Sequence, residues 1–339
     1  MKKLFAVTFA AAVCAAAAIG GVGCGNAPSG KYTVYAPDGA PALSLCNGIS
    51  KEGDTFEYRV IDASTVQAQV TGKRPVADFC VLPVNLASKL LGNGETYQML
   101  GTVTNGNLYF LTTGDNPVLT AENLKTALVG KTLGSVQLTN VPGLTLQAVL
   151  KDYGIPYTVI ENVNSEKSET LVNVLNLGAD AANVPGLPCD YYLCPEPAVS
   201  AKIKATANGG NPLKLAGDLQ ALYGGTEGYP QAVLVAKKSV LESDKQAAET
   251  LISYFEGSAA YLASAAPADL VALLDGKREA GLAPSFNEKN LTAEVVARCS
   301  VRFTPAKDCK TRVNDFLAKL KAVNPNAASE VADEFYYGA

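Results

Sequence analysis

The sequence predicts an α/β protein of two successive lobes, each a parallel sheet covered by helices, with a helical C-terminal segment returning to the first lobe. Three observations carry this. Short apolar strands alternate with helical segments through two consecutive blocks. The 339 residues are too many for one ordinary domain and suit two of modest size. Beyond Asp244 the pattern becomes almost wholly helical.

In the first block, residues 31–36 read as a strand that runs into the turn Pro37-Asp38-Gly39-Ala40-Pro41 and a short helix over 42–47. Proline suits a first helical turn, where its missing N–H costs nothing. A strand follows over 56–61, then a helix over 63–70 capped by Asp62 or Ser64. Residues 79–82 form a short apolar run between Asp78 and Pro83, as expected of a buried strand, and 85–91 are helical. Strands over 97–103 and 108–112 flank Asn105-Gly106, a strong turn signal.

The second block begins with a helix over 119–128 and a strand over 132–137. The turn Asn140-Val141-Pro142-Gly143 leads into a helix over 144–153, ended by Gly154. A strand over 157–160, a helix over 169–177 and short strands over 179–184 and 191–194 complete it. One more strand covers 231–236, and helices are expected over 245–265, 268–274, 292–298, 308–321 and 327–335.

Composition narrows the chemistry. Hydrophobic residues make up 48% of the chain, enough for a substantial core. The chain contains no histidine, which excludes Ser-His-Asp and Cys-His catalysis and the usual histidine-based metal sites. No metal or cofactor is expected. The formal net charge is -4 and no long basic run occurs, so nucleic acid is not an expected partner.

The N-terminus reads as an export address. Lys2 and Lys3 precede an uncharged, alanine-rich stretch over 4–23, and Gly21-Val22-Gly23-Cys24 places small residues before a cysteine. This predicts a lipoprotein signal over 1–23, a lipid on Cys24 and a flexible tether over 24–30. Gly21 stands where an aliphatic residue is usual. An uncleaved membrane span and cleavage to a released protein are therefore open alternatives, and all three imply export.

Export bears on the cysteines. Cys46, Cys80, Cys189, Cys194, Cys299 and Cys309 remain beyond the tether, an even number that permits disulfides. Cys189 with Cys194 and Cys299 with Cys309 are close enough in sequence for local bridges, leaving Cys46 and Cys80 to pair. Buried free thiols are the alternative.

Motif by motif, the sequence excludes more than it assigns. Gly130-Lys131-Thr132 matches the end of a phosphate-binding loop, but Lys125 occupies the required earlier glycine and the strand follows the triplet instead of preceding it. No dinucleotide-binding glycine pattern follows a strand. Asp38, Asp180 and Glu196 lie at loop ends, yet nothing in the sequence pairs any two for acid–base work. The turns at 38–41, 83–85 and 140–143 each join the C-terminal end of a strand to a helix start, the edge where open α/β sheets bind ligands. Helix N-termini there present free N–H groups suited to a polar or anionic solute.

At these residues the chain resembles the substrate-binding proteins of ABC importers, in the nitrate, sulfonate, taurine and thiamine-pyrimidine group. The stretches that carry the resemblance are Tyr35-Ala36-Pro37-Asp38-Gly39-Ala40-Pro41, Ala77-Asp78-Phe79-Cys80-Val81-Leu82-Pro83, Gly130-Lys131-Thr132-Leu133-Gly134, Asp190-Tyr191-Tyr192-Leu193-Cys194-Pro195-Glu196-Pro197 and Tyr229-Pro230-Gln231-Ala232-Val233-Leu234-Val235. The resemblance implies the type II periplasmic-binding fold with two Rossmann-like lobes. Lobe 1 would comprise 31–114 and 226–339 and lobe 2 would comprise 115–225, with crossings near 112–117 and 222–230. It implies a monomer that closes on a small-molecule solute and docks on an ABC permease, without being an enzyme. By position, the cleft contacts would be Asp38, Gly39, Ala40, Pro83, Asn85, Thr104, Asn105, Asn140, Pro142, Glu196, Tyr229 and Gln231. A carboxylate-based enzyme or a surface sensor on the same scaffold are the competing readings. With no tryptophan present, aromatic stacking on a solute falls to Tyr or Phe, such as Tyr35, Tyr109 or Tyr229.

Overall fold

A computed structural model describes residues 31–51, 53, 55–178 and 181–338. The expected signal peptide, the tether, Cys24 and Asp180 lie outside the described residues.

The strands are β1 (Tyr32–Pro37), β2 (Phe56–Ile61), β3 (Phe79–Pro83), β4 (Tyr97–Thr104), β5 (Leu108–Thr112), β6 (Thr132–Ser135), β7 (Tyr157–Ile160), β8 (Val172–Asn176), β9 (Tyr191–Pro195), β10 (Lys214–Asp218), β11 (Ala232–Lys237) and β12 (Val301–Pro305). The helices are α1 (Ala40–Leu43), α2 (Cys46–Ile49), α3 (Val66–Val70), α4 (Val84–Leu91), α5 (Leu124–Leu128), α6 (Val141–Asp152), α7 (Ala198–Thr206), α8 (Leu219–Gly224), α9 (Lys238–Ser243), α10 (Lys245–Glu256), α11 (Ser258–Ser264), α12 (Pro267–Asp275), α13 (Ala293–Arg298) and α14 (Ala306–Val323).

Two six-stranded sheets result, in the orders β12-β4-β11-β3-β1-β2 and β10-β5-β9-β6-β8-β7. Pairing is parallel for β2-β1-β3 and for β7-β8-β6-β9, as the βα alternation requires. The strands next to the chain's passages between sheets, β4, β11, β5 and β10, pair antiparallel, so both sheets are mixed.

Several elements differ from the sequence reading. Asn105-Gly106 does not turn β4 back on β5. The chain leaves the first sheet there, and β5 pairs with β9 and β10 in the second. The passage therefore lies at 105–107, earlier than 112–117, and β5 belongs with the second sheet. The expected helix over 169–177 contains β8 instead, buried from Val172 to Leu175 and paired on both edges, with β7 and β6. No strand forms over the described residues 181–184. The helix over 119–128 shrinks to α5, and that over 245–265 breaks at Gly257 into α10 and α11. The tail over 327–335 is extended apart from a short 3-10 turn at Asp333–Phe335. Its backbone bonds outward, Ala332 N–H to Gly92 and Tyr337 N–H to Met99.

The cysteines also correct the expectation of disulfides. All six described thiols are free and buried. Cys299 lies in the core on one face of the first sheet and Cys309 in the core on the other, so the sheet separates them. The same holds for Cys46 and Cys80. Cys189 and Cys194 share the small core of the second sheet as separate thiols.

Candidate functional site

Two passages link the sheets, 105–107 and 228–231, and they touch. Gly106 has φ of 95°, left-handed backbone, and a Cβ there would overlap the Gln220 side chain and the Tyr229 ring. Gly228 (φ 60°) passes so close to the Asn105 carbonyl that a Cβ would overlap that oxygen. Tyr229 N–H donates back to the Asn105 carbonyl at 3.3 Å, and Gln231 N–H to the Thr104 carbonyl at 3.0 Å.

Around this junction the structure gathers five of the expected site residues: Thr104, Asn105, Glu196, Tyr229 and Gln231. Asn105 Nδ2 donates to the Arg302 carbonyl at 3.0 Å, and its Oδ1 accepts from Arg312. Gln231 Nε2 donates to Asn107 Oδ1 at 3.0 Å, while Asn107 Nδ2 reaches the Glu196 carbonyl at 3.2 Å. Tyr229 is fully buried and stacks on Phe316, with centroids 5.4 Å apart. Burial raises its hydroxyl well above the ordinary tyrosine value, partly offset by the Asn107 backbone. Thr104 Oγ1, Gln220 Nε2, Gln231 Oε1 and Arg312 Nε are buried here without a hydrogen-bond partner. Such a concentration is unusual, because buried polar atoms are normally paired.

Glu196 is held more completely. Its carboxylate has no exposed surface. It accepts from Ser200 N–H at 3.1 Å and Ser200 Oγ at 2.8 Å, and pairs with Arg298 Nη1 at 3.3 Å. Arg298 ends α13. Its guanidinium also covers the Tyr109 ring at 5.7 Å, and its carbonyl accepts from Tyr109 Oη at 3.0 Å. Arg298 was absent from the sequence-derived set. The only signal available was a basic residue at the end of an expected helix, which ordinarily reads as a helix-terminal charge.

The other expected residues lie apart from the junction. Asp38, just after β1, is buried and pairs with the buried Arg278, and it accepts from Ser285 N–H at 2.7 Å. It fastens the loop after α12 to the end of β1. Gly39, with φ of 97°, and the buried Ala40 start α1 beside it. Pro83 precedes α4, and Asn85 Nδ2 donates to the Ala327 carbonyl at 3.1 Å. Asn140 is exposed at the start of α6 without capping through its side chain, and Pro142 occupies the first turn. Lys131 pairs with Asp190 at 3.4 Å and precedes β6, as expected for a strand start and not for a phosphate loop.

Beside the passages lies a cavity of about 840 Å³, within the range of small-molecule sites. Asp218 and Gln220 line it from the end of β10 and the start of α8. Leu262, Val296, Ser300 and Arg302 line it from the first sheet's helices and β12, and Asn105 lies between. Asp218 caps α8 through Ala221 N–H, and Arg302 pairs with Glu227 at 3.0 Å. Among the described residues no group of acidic or thiol side chains forms a metal site, and no helix is long and apolar enough to cross a membrane.

No protein-family model and no curated protein matches the chain. Solved structures do. An ABC transporter protein from Parabacteroides distasonis superposes with a TM-score of 0.68 at 17% identity, over 90% of this chain and 98% of its own. The periplasmic aliphatic sulphonate binding protein SsuA of Escherichia coli gives 0.56 at 13% identity, over 90% and 91%. The ligand-binding component of an ABC-type import system from Staphylococcus aureus, with zinc bound, gives 0.54 at 10%, over 92% and 99%. The fold is that of ABC-importer binding proteins. In this binding-protein fold the two sheets are the cores of two lobes, and the passages at 105–107 and 228–231 are the links between them.

Proposed function

We propose that this protein is the extracytoplasmic solute-binding component of an ABC importer, exported and lipid-anchored through Cys24. Lobe 1 is built on the first sheet with α1–α4 and α9–α14, and lobe 2 on the second sheet with α5–α8. A small organic solute, polar or anionic, binds between them and is presented by hinge closure to a membrane permease. The observation that carries this reading is the double passage between two sheets with a cavity between their facing edges, lined from both. A solute there would touch both lobes and so favour one interlobe angle over another. Asp38, Gly39, Ala40, Pro83, Asn85, Asn140 and Pro142 lie at strand ends and helix starts and complete the proposed cleft-facing set. The protein acts as a monomer and catalyses no reaction. The two described loop carboxylates that acid–base chemistry would need, Asp38 and Glu196, are each committed to an arginine.

Thermal unfolding of the chain from Asn26 onward, against sulfonates, taurine, nitrate, bicarbonate, aromatic acids and pyrimidines, tests the reading. A bound solute at a hundredfold its Kd adds about 2.7 kcal/mol and raises Tm by a few degrees. If no class moves Tm, the solute-binding reading fails.

A further inference from the structure

The lobes are joined very differently on their two faces. On one face a single hydrophobic cluster runs from lobe 1 into lobe 2. It includes Phe316, Leu317 and Leu320 of α14 and Leu146, Val149 and Leu150 of α6. Lys319 pairs with Asp152 across this seam, and Lys151 Nζ donates to the Ala322 carbonyl at 3.2 Å. On the other face the apolar cores are separate, one packed under α10–α13 in lobe 1 and one under α7 in lobe 2. Among the described residues, and apart from the Glu227 pairs beside the passages, one residue bridges that gap with hydrogen bonds or ion pairs. Arg298 of lobe 1 holds Glu196 and Ser200 of lobe 2 with its guanidinium and Tyr109 of lobe 2 with its carbonyl.

We infer that the α6–α14 seam is the pivot of the molecule, that the face carrying α13 is the mouth of the interlobe site, and that Arg298 is the latch across that mouth. A continuous apolar seam cannot part without exposing its side chains to water, whereas the Arg298–Glu196 pair can part with both charges passing into the water that enters the gap. Glu196 is prepared for the separation. When Arg298 withdraws, the carboxylate keeps both Ser200 bonds and gains water on the side that opens, so no buried charge is stranded. The cavity lies against this same helix, through Ala293, Val296 and Ala297, so release of the latch widens the route to it. Arg298 is thus a positioning residue for solute capture, and the assignment rests on the solute-binding reading.

Distances between spin labels test it without any solute. The native described thiols are buried, so labels go on introduced cysteines: Lys204→Cys with Glu288→Cys across the mouth, and Lys125→Cys with Ala318→Cys across the seam. In the Arg298→Gln background the mouth distance shifts to longer values and broadens, while the seam distance stays fixed. Arg298→Lys restores much of the short distance. The Glu196→Gln/Arg298→Gln pair, which removes both charges and spares the fold, opens the mouth as fully as Arg298→Gln alone. An unchanged mouth distance in both variants, or equal movement across mouth and seam, overturns the latch. A latch that fails while solutes still raise Tm leaves the solute-binding reading standing. A mouth that opens while no solute raises Tm keeps the mechanical assignment and removes its transport role.

Discussion

Asp38 shows what a conspicuous loop carboxylate does once its surroundings are known. Both Asp38 and Arg278 are buried, and Ser285 adds a third bond. Replacing Asp38 by alanine leaves the guanidinium with the more exposed Asp275 alone and Ser285 N–H without its acceptor, and we expect a loss of about 1–3 kcal/mol by denaturant unfolding. The double change Asp38→Ala/Arg278→Met should recover much of that loss. The cysteines behave as packing residues. Burial pushes the Cys46 and Cys194 thiols up to about 12 and Cys189 to about 11. At pH 8 almost no thiolate is present, so a maleimide should leave all six described thiols unmodified in the native protein and modify them after denaturation. The sequence carried the identity of these residues but not their partners. Arg278 is 240 positions from Asp38, and no local pattern announces such a pair.

At the scale of elements, the junction predicts two opposite outcomes from neighbouring positions. Gly106→Ala adds a methyl group where Gln220 and Tyr229 already sit, on left-handed backbone, and should cost more than about 1 kcal/mol. Tyr229→Phe removes a buried hydroxyl that lacks a full hydrogen bond, and stability should change by less than about 1 kcal/mol. On the seam, Phe316 is fully buried between Tyr223 and Tyr229, and Phe316→Ala should cost about 3–5 kcal/mol. Urea unfolding of the three variants checks the ranking. Strands with strong β-branched or aromatic patterns, such as β1, β2, β7 and β9, were legible locally. β8 was not, because Leu171 to Leu177 is apolar enough for a buried helix and only its place between β6 and β7 decides. β10 and β12 were missed because their residues are partly exposed and form strands by pairing with β5 and β4.

For the whole molecule, the buried phenols and thiols set a limit at high pH. Burial, with the hydrogen bond to Asp244, raises Tyr32 from 10.0 to about 12, and burial with the nearby Asp190 raises Tyr191 likewise. Each group keeps its proton more firmly in the folded state than in the unfolded chain. The folded state therefore has its full advantage below the unfolded values, near 9 for thiols and 10 for phenols. That advantage is lost as pH rises toward about 12. Stability measured against pH should be insensitive to these groups through neutrality and fall steeply above about pH 9–10. A profile flat to pH 12 would show that the core admits the charged forms.

The sequence by itself determined the fold class, the two-block organisation and the chemistry that is excluded. These are properties of composition and short-range periodicity, and the absence of histidine is independent of any fold. Only the tertiary structure decided where the chain passes between lobes. Asn105-Gly106 has the same local signal whether β5 returns beside β4 or crosses, and the choice is made by pairing with β9, far along the chain. It likewise decided the state of the thiols, since a sheet separates Cys299 from Cys309 although nine residues do so in sequence. The latch belongs to the same class. Arg298 and Glu196 acquire a shared role only because two lobes with separate cores bring a charge of each sign to the one gap between them.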